Sequence, residues 1–280
     1  MEVNQQAIAA MRAVTISRQY GSGGGEIAVR LARKLGWQLI DHAIIEQTAR
    51  ELGVYETDVA RHDEEYVEGT LSRILNRIRN LTSGVFTPAS GTPSSGGAFT
   101  PTTASATPFM FDTPITATPP SPTDERAYPY QETMQQVVMA AATTGHVVIV
   151  GRGGQFLLAD QRDVLHLRIV APLELRVAYV VRREELDMDA ARTRVQEKDH
   201  ARDRYIQTQF QRKPDEPDLY DLVINTAVLE LDRIVDLICL ALEDKASRLG
   251  VPAEELGPAA GLAPYAGQPA DFSAPPRSSS

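Results

Sequence analysis

The sequence predicts an α/β protein with a five-stranded parallel sheet and helices packed on both of its faces. Five short apolar runs, at residues 13–17, 37–40, 146–151, 164–170 and 221–225, alternate with segments of helical period. Strands separated by helices run parallel and are covered on both sides, because each crossover lays a helix against the sheet. Glycines close the helical segments at Gly36, Gly53 and Gly145, where the end of a helix favours a left-handed residue.

The first run, AVTIS at 13–17, is rich in β-branched residues. It leads through a glycine-rich turn into a helix with Ile27, Leu31 and Leu35 on one face. WQLI at 37–40 forms the second strand. Asp41 then caps a helix that lays Ile44, Ile45, Thr48, Ala49 and Leu52 on one side. A highly charged helical stretch follows from about 56 to 81, and residues 131–144 read as a further helix. HVVIVG at 146–151 is a fully buried strand and VLHLRIV at 164–170 another. Pro172 suits a helix start, helical patterns continue to about Phe210, and DLVIN at 221–225 is the last strand. The closing helix is amphipathic through Leu231, Ile234, Ile238 and Leu242.

Residues 1–12 are expected to be an N-terminal extension and 13–250 the folded domain. Within it, 83–123 is rich in Ser, Thr, Pro, Gly and Ala, nearly uncharged and without period. Such a segment buries too little apolar surface to offset its ordering entropy, so a disordered insertion is expected there, with Phe109, Met110 and Phe111 as its one apolar island. The tail from 251 to 280 reads the same way.

An apolar content of 42% over 280 residues is enough for a substantial core. No apolar run approaches the roughly 20 residues that cross a bilayer, and 1–12 lacks the apolar stretch of a signal peptide. The single cysteine, Cys239, lies on an apolar helical face. One thiol makes neither an internal disulfide nor a cysteine-based zinc site, so a reducing cytoplasm is the expected compartment. A net charge of −9 argues against a general nucleic-acid surface but allows a local basic pocket. Many of the arginines crowd between Arg152 and Arg212, and arginine suits bidentate contact with phosphate oxygens. Ligands of such folds bind beyond the carboxyl ends of the strands, which here carry Ser17-Arg18, Asp41, Gly151-Arg152, Ala171 and Asn225-Thr226.

The turn Gly21-Ser22-Gly23-Gly24-Gly25 therefore draws notice. A strand, a glycine turn and a helix start present free backbone N–H groups and the positive helix end, which together suit a phosphate. The turn departs from the G-x-x-x-x-G-K-[ST] pattern. With Gly23 on its second glycine, Arg18 falls on the first, Gly24 on the lysine and Gly25 on the hydroxyl residue. By pattern alone, a turn without ligand is an equal reading.

The surrounding text decides more. ISRQYGSGG with EIAVRLARKLGWQLIDHAII, VVIVGRGGQFLLAD, VLHLRIVAPLELRVAYVVRREEL, EKDHARDRYIQTQF and LYDLVINTAVLELDRIVDLI together resemble the cytidylate kinase-like family, a branch of the nucleoside monophosphate kinases with its own variant loop. The likeness covers most of 13–242 in the family's order and spares the insertion and the tail. It implies a three-layer P-loop kinase-like fold with a helical lid. It also implies an ATP- and Mg²⁺-dependent kinase acting on CMP or dCMP, with small nucleotides rather than nucleic acid or membrane as partners.

On this resemblance Gly21, Ser22, Gly23, Gly24, Gly25 and Glu26 form the cradle for the ATP phosphates. Arg18, at the strand end, is the first candidate for the absent loop lysine. Arg152 matches the arginine of the family's Gly-Arg-Asp segment, which contacts the acceptor's phosphate, whereas Gly153 stands where that segment has aspartate. Asp41 matches an acidic position near metal-bound water or the acceptor. In this kinase class a helical lid brings arginines over the phosphates, which makes Arg182, Arg183, Lys198, Arg202 and Arg204 the group that could supply charge to the moving phosphoryl, and KDHARDR resembles the family's lid motif. Lys198 and Arg202, four apart, share a helical face that Arg204 does not. Family members often carry arginine where this chain has Gly25.

Each candidate has a plainer reading: Arg18 a surface arginine in a turn, Asp41 a helix cap, the lid arginines a solvated face with internal ion pairs. Asp63, Glu64 and Glu65 read as a solvated helix surface, and His62, His146, His166 and His200 show no metal-ligand spacing. Trp37 and Phe156 are core residues by type, while Tyr128 and Tyr130 are candidates for a nucleobase pocket. Gly24, Gly25 and Gly153 also favour a second reading, a catalytically weak nucleotide-binding regulator on the same fold. A third keeps the kinase and changes the acceptor to another small metabolite.

Overall fold

Five strands carry the molecule: β1 (Ala13–Arg18), β2 (Gln38–Ile40), β3 (Val147–Val150), β4 (Val164–Val170) and β5 (Leu222–Asn225). They form one sheet in the order β2-β3-β1-β4-β5, with every neighbouring pair parallel. The structure is a computed structural model that describes residues 4–41, 44–45, 76, 127–252 and 255–257. Expectations for the helix 56–81, the acidic group 63–65, the insertion 83–123 and most of the tail lie outside those residues, as do the side chains of Tyr128 and Tyr130. Among the described residues no helix is long and apolar enough to cross a membrane.

Alternation along the strands builds two cores. Val14, Ile16, Val148, Val150, Leu165, Leu167 and Ile169 face α2 (Gly24–Leu35) and α7 (Leu231–Ser247). Ala13, Ile40, Val147, Ile149 and Val164 face α3 (Ala127–Thr144), through Met134, Val137, Val138 and Ala141. The second face changes character toward the carboxyl ends of β1 and β4, where Thr15, Ser17, His166 and Arg168 are buried but polar. That polar seam lies beneath the site.

The short α1 (Gln5–Ile8) is capped by Asn4, whose Oδ1 accepts from Ala7 N. Ile8 and Met11 are buried in the first core. Through these two side chains the described residues before β1 pack on the domain.

The helical run after Pro172 is two helices. α5 (Leu173–Glu184) ends at Glu185 in the left-handed region (φ 56°), and Asp187 caps α6 (Met188–Phe210) by accepting from Ala190 N at 2.8 Å. They pack on each other through Val177, Val180, Ala191 and Val195, with Tyr20 in the same cluster. A small α4 (Gly154–Leu157) follows β3, and its four residues are too few for any helical period to announce it.

Cys239 is fully buried, and burial pushes its thiol pKa up to about 11. Alkylation of the native protein by iodoacetamide at neutral pH is expected to proceed only on unfolding. Labelling followed by mass spectrometry checks this.

Candidate functional site

The neighbouring strands β1 and β3 define a switch point. The chain leaves β1 toward β2 and leaves β3 toward β4, so a crevice opens at their carboxyl ends. Two adjoining hollows occupy it. The first, the tighter of the two, is lined by residues 18–26 together with Asp41, Tyr179, Arg183 and Arg202. The second, the roomier, extends beneath α6 past Arg152, Arg168 and Tyr205. Arg18, Gln19 and Arg202 line both.

The glycine loop is held from behind. Ser22 turns its hydroxyl inward, 3% exposed, and donates to Gln19 O at 2.8 Å; its own carbonyl accepts from Thr226 Oγ1 at 2.9 Å. Gln19 Oε1 accepts from Ala171 N at 3.1 Å. Gly21 has φ +75° and leaves no room for a side chain, since a Cβ there would stand 2.7 Å from Arg176 O. Gly23 (φ 79°) caps α2 with no side-chain bond, and the first turn closes with Ile27 N donating to Gly23 O. The amides of Gly24, Gly25 and Glu26 thus head the helix, where an anion is favoured.

Arg18 leaves the end of β1 beside the glycine loop. Its stem lies against Gly24, and its guanidinium passes over Gly151, whose lack of a Cβ makes the passage possible. It therefore spans from the glycine loop to the end of β3. Arg152 follows in a run of three left-handed residues, Gly151 (φ 83°), Arg152 (φ 54°) and Gly153 (φ 72°). The conformation costs a non-glycine residue about 1–2 kcal/mol, and the flanking glycines confine that cost to one position. Arg152 stacks over the Tyr205 ring at 5.3 Å. Burial lowers its pKa, Tyr205 offsets part of that, and the like charge of Arg202 adds to it.

The lid is tied to the loop through Tyr20. Its N–H donates to Asp199 at 2.7 Å and its hydroxyl to Glu184 at 2.5 Å, while its carbonyl accepts from Arg176 at 3.1 Å. Arg176 also pairs with Asp199. Arg202 lies over the Tyr20 ring at 5.1 Å and pairs with Asp199 at 3.9 Å, three residues back rather than with the adjacent Asp203. Arg183 pairs with Glu26 at the mouth of the first hollow.

Of the sequence candidates, Arg18, Gly21 to Glu26, Asp41, Arg183 and Arg202 come together in the first hollow. Arg152 joins Arg18 and Arg202 in the second. Lys198 lines neither, because the second hollow reaches along α6 only as far as Asp199. Asp41 also serves as a cap, accepting from Ile44 N at 3.0 Å. Among the described residues no group of three or more His, Cys, Asp or Glu is placed to hold a metal ion.

A model of the cytidylate kinase-like family matches residues 13–228. The chain belongs to the cytidylate kinase-like family. All five strands of the sheet and the glycine loop after β1 fall within the matched residues. The cytidylate kinase of Methanopyrus kandleri is 30% identical over 111 residues, 37% of this chain and 58% of its own length. The uronate isomerase of Corynebacterium glutamicum is 33% identical over 101 residues, 36% of this chain and 19% of its own length. The chain thus spans less than two thirds of either curated relative. The crystal structure of an uncharacterized protein from Eubacterium ventriosum superposes with a TM-score of 0.52 at 18% identity, over 83% of this chain and 98% of that one.

Two features of this family member escape a linear reading. Arg168, in the middle of β4, lines the second hollow at 8% exposure. Its signal was present in VLHLRIV, where polar His166 and Arg168 alternate with Leu165, Leu167 and Ile169. The other is Gly153: a Cβ there would collide with the Phe210 ring, which stacks on Phe156 at 4.7 Å. Phe210 lies 57 residues further along, so no local pattern announces the contact.

Proposed function

We propose that the protein is an ATP-dependent nucleoside monophosphate kinase. The glycine-loop hollow takes the triphosphate and the adjoining arginine-lined hollow takes CMP or dCMP. The observation that carries this reading is the pair Arg18 and Arg202, which line both hollows and so stand at their junction. Phosphoryl transfer asks for positive charge and alignment at that point, and the acceptor's phosphate oxygen needs no strong base.

Mg²⁺ in such reactions is held by one or two carboxylates together with substrate phosphates and water. Asp41, in the first hollow, fits that donor set, while Glu26 beside it is paired with Arg183. The metal would neutralise charge between the phosphates. The chain's own groups orient the substrates: loop amides, Arg18 and Arg183 on the donor side, Arg152 on the acceptor side, and Arg202 between them.

A coupled assay with ATP, Mg²⁺ and a panel of nucleoside monophosphates tests the reading. Turnover with CMP or dCMP is the expected result, and ATP use that no nucleotide stimulates would overturn it. The second reading, a weakly catalytic nucleotide-binding regulator, is favoured by Gly153, whose space is taken by Phe210 where the family's segment carries aspartate. Tight ATP binding with no turnover on any acceptor would select it.

Arg152→Ala is expected to raise the acceptor KM about 10–100-fold, the worth of one charge-assisted contact, with the ATP KM kept within a few-fold. Steady-state kinetics with each substrate varied in turn checks this.

A further inference from the structure

Arg168 is a cation where the fold would ordinarily place an apolar side chain. It sits on β4, opposite Ser17 in the β1 register, and is buried. Its Nη1 donates to Ser17 Oγ at 2.8 Å, and its guanidinium lies 5.8 Å from the centre of the Tyr220 ring. Among the described residues it forms no ion pair in direct contact; Asp203, which feels its charge from a distance, and Asp215 line the same hollow. A guanidinium has five N–H donors, and a buried cation without a partner charge in direct contact is costly. A purely structural role at this position would be served better by an apolar residue.

The surroundings lock its orientation. Tyr220 Oη lies 3.2 Å from Ser17 Oγ, donates to Pro214 O at 2.7 Å and accepts from Gln155 Nε2 at 3.3 Å. The partners of Arg168 are thus themselves fixed, as a preorganised binding group requires. The hollow it lines carries six cationic side chains against three carboxylates among its described residues. One of those carboxylates, Asp199, is already committed to Arg176. In a chain of net charge −9 this surplus is local, and it marks an anion site.

We infer that Arg168 is a further substrate-binding residue, a buried guanidinium that holds a phosphomonoester oxygen of the acceptor in the second hollow. The inference rests on the reading that this hollow takes the acceptor, and it adds a second anchor to Arg152 from a different strand. An anion bound there supplies a partner charge in direct contact, where Asp203 acts on Arg168 only from a distance.

The test uses the full chain, with inorganic phosphate as the probe and calorimetry as the readout, alongside thermal melts. Arg168→Met is expected to melt no lower than wild type, since it removes a buried charge that has no ion pair in direct contact, and to bind phosphate about 10-fold or more weakly. Arg168→Lys, which keeps charge without the fork, is expected to recover part of that affinity. Unchanged phosphate affinity in Arg168→Met overturns the inference, whether or not its melting temperature falls. So does a raised ATP KM with the acceptor KM unchanged. Phosphate binding that depends on Arg168, in a wild type that phosphorylates no acceptor, would sustain the inference while the kinase reading falls. Turnover by Arg168→Met with a wild-type acceptor KM would do the reverse.

Discussion

Arg18→Ala is expected to lower kcat/KM by about 10²–10³-fold, the loss typical of one preorganised donor aimed at developing charge. Arg18 differs from the other arginines in its span. The stem is seated against Gly24, at the head of α2, and the guanidinium crosses to Gly151 at the end of β3. It lines both hollows, so its removal should raise the KM for ATP and for the acceptor together, unlike Arg152→Ala. Arg18→Lys should recover only part of the loss, because an ammonium at the end of a flexible stem lacks the planar fork. Gly151→Ala offers an independent approach to the same contact. A Cβ there would collide with the Arg18 guanidinium, and the residue is left-handed at φ 83°. It should reproduce the kinetic defect with Arg18 still present. Steady-state kinetics of the three variants, with thermal melts as controls, decides the matter. Wild-type kcat and KM in Arg18→Ala would remove Arg18 from the junction.

The same pair of residues shows what a linear reading reaches. The strand beginning at Ala13 and the helix bearing Ile27, Leu31 and Leu35 are announced by short-range pattern, because burial on one face imposes periodicity directly. Placing Arg18 and Gly151-Arg152 at strand ends followed from that pattern and the ligand rule for parallel sheets. That the Arg18 guanidinium passes over Gly151 did not follow, since contact between residues 133 positions apart depends on the β1–β3 pairing. Lys198 illustrates a different limit. Four-residue spacing puts it on a face with Arg202, but the position of the hollow along α6 is a tertiary fact. Arg168 was hidden for a third reason. A strand expected to be buried on both faces invites its polar residues to be overlooked, whereas His166 and Arg168 report that one face turns polar beneath the site. His166 itself is satisfied, with Thr15 Oγ1 2.7 Å from Nδ1 and Leu158 O 3.2 Å from Nε2, and burial lowers its pKa. Of the two, Arg168 is the one that lines the second hollow.

Gly153→Asp is expected to destabilise the protein by about 2–4 kcal/mol, from overpacking and a left-handed backbone together. In a domain of this size that is a fall in Tm of roughly 5–15 °C, measurable by calorimetry. The reason is the Phe210 ring, which lies where the new Cβ would go and is held by its stack on Phe156 and an edge contact with Tyr205 at 6.4 Å. Phe210 closes α6, the helix that carries Arg202 and Tyr205, so displacing its ring also loosens the lid's attachment beside Arg152. The collision predicts strong non-additivity. Phe210→Ala alone loses the stack, yet it opens the space that the introduced carboxylate needs, so Gly153→Asp combined with Phe210→Ala should be markedly more stable than the two single effects summed. Additive losses, or a Gly153→Asp variant as stable as wild type, would show that the ring does not exclude the side chain. The double variant also separates the two functional readings. A gain in turnover over Phe210→Ala would mean that the chain lacks a carboxylate that catalysis uses. Unchanged turnover would mean that the arginines suffice for transfer without it.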